Sequence, residues 1–177
     1  MPRADRLPIL FLDVDGPLIP FGGDRSPVVH VARAGGNPLL ERIDPALGPQ
    51  LAALPCELVW ATTWMDEANE VLAPVLGLPE LAVVRWPEPS GQEERDVRAG
   101  RHWKTRAVVE WAGGRAFAWV DDEITDRDRE WVTAHCGERA LLRRVDPRRG
   151  LTGADLDVLG DWLRRHVSGR TAPRSPS

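Results

Sequence analysis

Lysine is nearly absent from this chain. Of its 23 basic residues only Lys104 is a lysine; the others are arginine. A chain that uses guanidinium for generic surface charge and keeps one ammonium points to a task for a compact point charge, since arginine offers a flat fork instead. Chance retention is the competing reading, and the neighbours of Lys104 decide between the two. Cysteine is scarce as well. Cys56 and Cys136 lie far apart without metal-ligand spacing, which fits small buried hydrophobes in a cytoplasmic protein. No apolar run approaches the roughly 18 to 20 residues of a membrane span, so no membrane partner is expected. Met1-Pro2-Arg3-Ala4-Asp5-Arg6 leads straight into the first apolar segment, so no signal peptide is expected. A net charge of −4 supplies no overall electrostatic footprint for nucleic acid, although a local basic patch stays open.

What the chain does have is a recurrent pairing of apolar runs with polar ends. Ile9-Leu10-Phe11-Leu12-Asp13-Val14-Asp15-Gly16 runs four apolar residues into two carboxylates and a glycine. Such a run reads as a strand over 9–14, buried on both faces as in a parallel sheet. In open α/β sheets the ligand crevice lies outside the carboxyl ends of the strands. Asp13 and Asp15, two apart, are expected to share a face. Like charges about 4 Å apart repel by about 1 kcal/mol in water and about 4 kcal/mol at an effective dielectric of about 20, and a divalent cation would offset that.

The remaining elements follow the same logic. Residues 17–44 are rich in Gly and Pro and read as a short flap. Its hairpin arms are 28–32 and 39–43, turning at Gly35-Gly36-Asn37. Asp44-Pro45 reads as an N-cap and first helical residue, with Leu47, Leu51 and Leu54 on the apolar face. A second buried strand over 57–63 ends in Thr62 and Thr63. A helix over 66–76 follows, shortened or kinked at Pro74. A third strand covers 81–86, and 87–101 reads as an exposed loop. A helix over 103–112 carries Lys104 in its first turn. The fourth strand, 116–120, delivers Asp121 and Asp122; a helix over 126–136, a strand over 140–145 and a final helix from Thr152 complete the set. Residues 168–177 have little to bury and are expected to be disordered. Strands alternating with helices predict one α/β domain over 1–167, a parallel sheet of about five strands with right-handed crossovers.

In this order the motifs resemble the haloacid-dehalogenase (HAD) superfamily of phosphohydrolases. They are Asp13-Val14-Asp15-Gly16, the threonine ending strand two (Thr62, with Thr63 beside it), Lys104 opening a helix, and Asp121-Asp122 with Asp126 four residues on. The resemblance spans roughly residues 7–145. Leu-Asp-Val-Asp-Gly-Pro-Leu, Trp-Ala-Thr-Thr-Trp and Trp-Val-Asp-Asp-Glu are more narrowly similar to small bacterial HAD domains grouped with RNA repair proteins. The resemblance implies a Rossmannoid three-layer sandwich with a minimal cap. It also implies a Mg²⁺-dependent phosphatase that works through an aspartyl-phosphate intermediate.

On that resemblance Asp13 is the nucleophile and Asp15 the proton donor and acceptor, which ligates metal only through its main-chain carbonyl. Asp122 is the principal acidic ligand, with Asp121 and Asp126 as further candidates. Thr62 binds a non-bridging phosphate oxygen beside Thr63 and Gly16, and Lys104 pairs with the nucleophile and the phosphoryl group. Structural readings compete: turn capping for Asp13 and Asp15, helix capping for Asp121-Asp122, ordinary strand propensity for Thr62. Pro17 departs from the family, which has a small residue such as Thr there. It removes an N–H from the substrate loop, so altered substrate positioning is expected.

Trp60, Trp111, Trp119, Trp131 and Trp162 read as core, whereas Trp64, Trp86 and Trp103 are placed to line the site. The four histidines read as structural or surface groups. Inserts too short for a large cap favour a phosphate on something bulky, such as an RNA or DNA end. A small-metabolite phosphatase and a non-catalytic HAD-like binding module are the alternatives.

Overall fold

The computed structural model describes residues 7–21 and 38–168. The sheet has five strands, all parallel: β1 (Ile9–Leu12), β2 (Glu57–Trp60), β3 (Ala82–Val83), β4 (Phe117–Asp121) and β5 (Ala140–Arg144), in the order β3-β2-β1-β4-β5. The chain lays β2 and β3 to one side of β1 and then returns to place β4 on the other. This reversal puts a topological switch point between β1 and β4, where ligands bind in such sheets. The register sets Leu12 beside Val120, so the next residues, Asp13 and Asp121, emerge together.

Among the described residues there are six α-helices: α1 (Leu47–Ala52), α2 (Ala73–Leu76), α3 (Gly91–Arg98), α4 (Thr105–Ala112), α5 (Asp126–Cys136) and α6 (Gly153–Ser168). Alternation along β1 sends Leu10 and Leu12 into one core layer, with Leu51, Leu72, Leu159 and Leu163 from α1, the turn before α2, and α6. Ile9 and Phe11 enter the other layer, with Val108 and Ala112 of α4 and Val132 of α5. The result is the expected α/β three-layer sandwich. No helix among the described residues is long and apolar enough to cross a membrane.

Several local expectations need correction. β1 stops at Leu12; Asp15 lies beyond it in a turn, where Gly16 N donates to Ile19 O (3.0 Å). Pro38–Arg42 is a 3-10 turn, not a hairpin arm. The other arm, its turn and His30 lie outside the described residues, as do residues 1–6 and 169–177. Asp44 caps a tight turn, accepting from Ala46 N (2.9 Å), and α1 begins only at Leu47. The segment before α2 is a π-helical turn, Ala68–Leu72, that aims Asn69 at the core. Asn69 Oδ1 there accepts from Trp60 Nε1 (2.8 Å) and from Leu81 N (2.9 Å), clipping the start of β3 to β2.

The segment expected as an exposed loop contains α3. Its sequence lacks an apolar stripe, yet Ser90-Gly91-Gln92-Glu93 carries the Ser-x-x-Glu signature of a helix start, and Ser90 Oγ accepts from Glu93 N (3.3 Å). The helix is held by charge: buried Asp96 accepts from Arg106 Nε (2.9 Å) and pairs with Arg101. Of the tryptophans expected in the core, Trp60, Trp119 and Trp162 are buried, while Trp111 and Trp131 are half-buried against it. Cys56 and Cys136 are free and half-buried, and burial pushes the Cys56 thiol up to about 12, which leaves it inert at neutral pH.

Candidate active site

The site is a meeting of carboxylates around one ammonium. Asp13 is 5% exposed, Lys104 3% and Asp121 0%. Lys104 Nζ lies 3.0 Å from Asp13 Oδ1 and 3.0 Å from Asp121 Oδ2. Burial draws the Lys104 pKa down, but the charges of Asp13 and Asp121 outweigh it and hold the ammonium above its ordinary value. The Asp13 pKa rises too, which for a carboxylic acid favours the neutral form. Burial pushes it up to about 7, with Asp121 adding repulsion against the pull of Lys104.

Asp122 completes the cluster. Its ligand atoms and those of Asp13 and Asp121 lie within 4.8 Å of one another. Burial, and then the Asp121 charge, raises the Asp122 pKa. Gly16 makes the approach possible: its φ is +91°, and a Cβ there would stand 2.6 Å from Asp122 Cγ. The two neighbouring aspartates are not equivalent. Asp121 spends Oδ1 on Glu123 N (2.9 Å) and Oδ2 on Lys104, whereas the half-buried Asp122 carboxylate is met by its own main-chain N–H. Three carboxylates against one ammonium leave the cluster short of positive charge, and its donors are hard oxygens. That set fits Mg²⁺, which prefers such ligands and keeps several waters.

Asp15 is elsewhere. Its carboxylate does not share a strand face with Asp13 as expected; Oδ2 accepts from Trp64 Nε1 at 3.0 Å. The residue after Trp64, Met65, has φ +51°, rare for a side chain of its size. Thr62 is fully buried at the end of β2, its Oγ1 accepting from Trp64 N (3.3 Å), while Thr63 is exposed. Asp126 stays out of the cluster: its side chain is exposed on α5, 3.9 Å from Arg129.

Sequence reasoning placed Trp86 and Trp103 near the site but missed the polar scaffold that His102 and Asp128 build behind Lys104. Trp86 and Trp103 meet edge to face with centroids 4.9 Å apart, and each ring lies within 6 Å of Lys104 Nζ. His102, buried beside them, accepts from Lys104 N through Nδ1 (3.1 Å), which leaves the ring proton on Nε2, 3.0 Å from Glu123 Oε2. Asp128, fully buried, accepts from His102 N (2.8 Å), Thr105 Oγ1 (2.6 Å) and Thr125 N (2.7 Å). It thereby ties the start of α5 to the segment that carries Lys104. Thr125-x-x-Asp128 is a capping pattern, the one signal in the sequence that could have found it.

The family model for the HAD domain in Swiss Army Knife RNA repair proteins matches residues 9–156. The chain belongs to this family. The matched span runs from the first residue of β1 into α6, so it takes in this HAD domain's whole sheet and every residue of the carboxylate cluster. No curated protein and no solved structure matches the chain.

Proposed function

We propose that this HAD domain is a Mg²⁺-dependent phosphatase that removes phosphate from the ends of nucleic acids through an aspartyl-phosphate on Asp13. The observation that carries the proposal is the convergence of Asp13, Lys104 and Asp121 in a buried cluster at the switch point of the sheet.

Asp13 Oδ attacks phosphorus in line with the leaving oxygen, forming an Oδ–P bond as the bond from phosphorus to the leaving oxygen breaks. Asp15, held by Trp64, gives its proton to the departing oxygen. In the second step Asp15 takes a proton from water, the water oxygen attacks phosphorus, and inorganic phosphate leaves with Asp13 restored. Lys104 sets fixed positive charge beside the phosphoryl oxygens in a dry site, where it acts most strongly. Asp121 holds Lys104 in place, and Thr62 supplies a hydroxyl to a non-bridging oxygen beside Gly16 and Thr63. Asp13, the main-chain carbonyl of Asp15 and Asp122 would hold Mg²⁺, which supplies neutralisation of the phosphoryl charge. Supporting a bulky substrate, the described insertion between β3 and α4 is one short helix clipped to the body through Asp96, not a cap domain.

The test is turnover of p-nitrophenyl phosphate with and without Mg²⁺ by wild type and Asp13→Asn. The proposal expects activity in wild type with Mg²⁺ only. Equal activity in the two proteins would sink it. Profiling phosphorylated oligonucleotides against nucleotides and sugar phosphates then tests the substrate class.

A further inference from the structure

Most described arginines are paired with a carboxylate, as Arg85 is with Asp66, Arg115 with Glu57 and Arg143 with Asp155. Four that are not so paired among the described residues stand around one turn, Gly16–Phe21, which leaves the nucleophile strand. Arg42 donates to Pro20 O in a long contact of 3.4 Å. Arg144 donates Nε to Asp122 O at 2.9 Å, which sets its guanidinium at the carboxyl end of β5 beside the cluster. Arg148 and Arg149 sit exposed on the loop that binds the turn directly: Phe21 N donates to Pro147 O (2.7 Å) and Leu151 N to Pro17 O (2.8 Å). The other arginines without a carboxylate partner, Arg95, Arg139 and Arg165, are scattered on separate elements. The one carboxylate in the Arg148 loop, Asp146, is turned to Arg148 N (2.9 Å) and not to a guanidinium.

In a protein whose net charge is −4, this is a local concentration of uncompensated positive charge. It lies at the strand ends, from Arg144 beside the cluster to the exposed Arg148 and Arg149. In its midst Phe21 is 49% exposed, a large apolar ring that folding has left in water. Guanidinium forks match phosphate in two-point hydrogen bonds, and an exposed aromatic ring beside a positive track is a stacking platform for a base. A strand whose terminal phosphate sits at Asp13 carries further phosphates outward for these guanidinium groups to meet, and a lone phosphate ester has none.

We propose that Arg42, Arg144, Arg148, Arg149 and Phe21 form the binding rim for the sugar–phosphate backbone of a nucleic-acid strand whose terminal phosphate enters the Asp13 crevice. The proposal rests on the phosphatase reading for the crevice, but the rim is measurable without it. Arg148 and Arg149 are exposed, and neither has a hydrogen bond or ion pair to Asp13, Asp121, Asp122 or Lys104 among the described residues. The track also explains how an acidic protein holds an acidic substrate.

The experiment is fluorescence anisotropy of a labelled single-stranded oligonucleotide carrying a terminal phosphate, titrated with wild type, the Arg148→Ala/Arg149→Ala double variant and Arg139→Ala as a surface control. Each is measured over a range of salt. Wild type and Arg139→Ala are expected to bind alike. The double variant is expected to bind about tenfold more weakly, with the log-affinity against log-salt slope shallower by about 1.4, from about 0.7 per lost contact to a single strand. Its turnover of p-nitrophenyl phosphate stays at the wild-type level. Wild type that binds no oligonucleotide, or a double variant that binds with unchanged affinity and slope, overturns the rim, as does an acidic phosphopeptide that competes as well as the strand. Salt-dependent, Arg148/Arg149-dependent binding in a protein that hydrolyses no phosphate ester upholds the rim and sinks the phosphatase reading alone.

Discussion

The indole N–H of Trp64 donates to Asp15 Oδ2 at 3.0 Å. The bond fixes the carboxylate of the proposed acid–base residue from the end of the neighbouring strand β2. Trp64→Phe keeps the ring and removes the donor. A hydrogen bond to a charged group contributes about 1.5 to 3 kcal/mol, so a loss of about tenfold or more in kcat is expected with an alkyl phosphate, whose leaving oxygen needs a proton. With p-nitrophenyl phosphate, whose leaving group needs none, the loss is expected to be smaller. Equal losses on both esters would show that Trp64 does not act through Asp15.

Lys104 is expected to resist its usual conservative replacement. Its ammonium reaches two carboxylates from a site with almost no contact with water, walled by Trp86 and Trp103. A guanidinium is larger and flat and cannot occupy that point. Lys104→Arg is expected to lower kcat by about a hundredfold, the scale of losing one positioned charge donor in an active site. Steady-state kinetics check this, and wild-type kcat in the arginine variant would contradict it.

Gly16 offers a test of the metal set. A Cβ there would press on the Asp122 carboxylate at 2.6 Å while the backbone sits at φ +91°. Gly16→Ala is expected to destabilise the fold by about 1 to 3 kcal/mol through backbone strain and to raise the Mg²⁺ concentration needed for half-maximal activity. Denaturant unfolding and a Mg²⁺ titration measure the two effects. An unchanged Mg²⁺ requirement would remove Asp122 from the ligand set.

Away from the site, Asp96 gives a pH signature. Burial alone would raise its pKa, but the bonds from Arg106, Gln92 and Arg101 overcome that and lower it to about 2. The unfolded value is about 3.9. The folded pKa is the lower one, so the stabilisation is fully present above about pH 4 and is lost as pH falls towards 2. It amounts to about 2 kcal/mol. Denaturant unfolding between pH 5 and pH 2, at about those limits, is expected to show this loss in wild type and a smaller one in Asp96→Asn. Identical pH profiles would contradict the assignment of Asp96 as the clasp between α3 and α4.

Elements that bury an apolar run were legible in the chain. β1, β2 and β4 are continuous hydrophobic segments, and their polar ends fall at the switch point because parallel strands all deliver their ends to one side. Lys104 stood out by composition alone. What was hidden depended on partners remote in sequence. α3 has no apolar stripe and exists because Asp96 gathers two arginines from later in the chain. Trp64 and Asp15 are 49 residues apart, and no local pattern announces their bond. Asp121 and Asp122 look alike in sequence and were separated only by what their oxygens meet. The expectation that Asp13 and Asp15 share a face failed because the strand ends one residue before Asp13, and Gly16 turns the chain away.

The central claim is that Asp13 carries the phosphoryl group. The most direct measurement is an acid quench of wild type during turnover of a radiolabelled terminal phosphate in the presence of Mg²⁺, followed by peptide mapping. The account predicts acid-stable, base-labile label on the peptide containing Asp13, absent from Asp13→Asn and retained in Arg148→Ala/Arg149→Ala. Turnover without label on any peptide, or label on a residue other than Asp13, would contradict it.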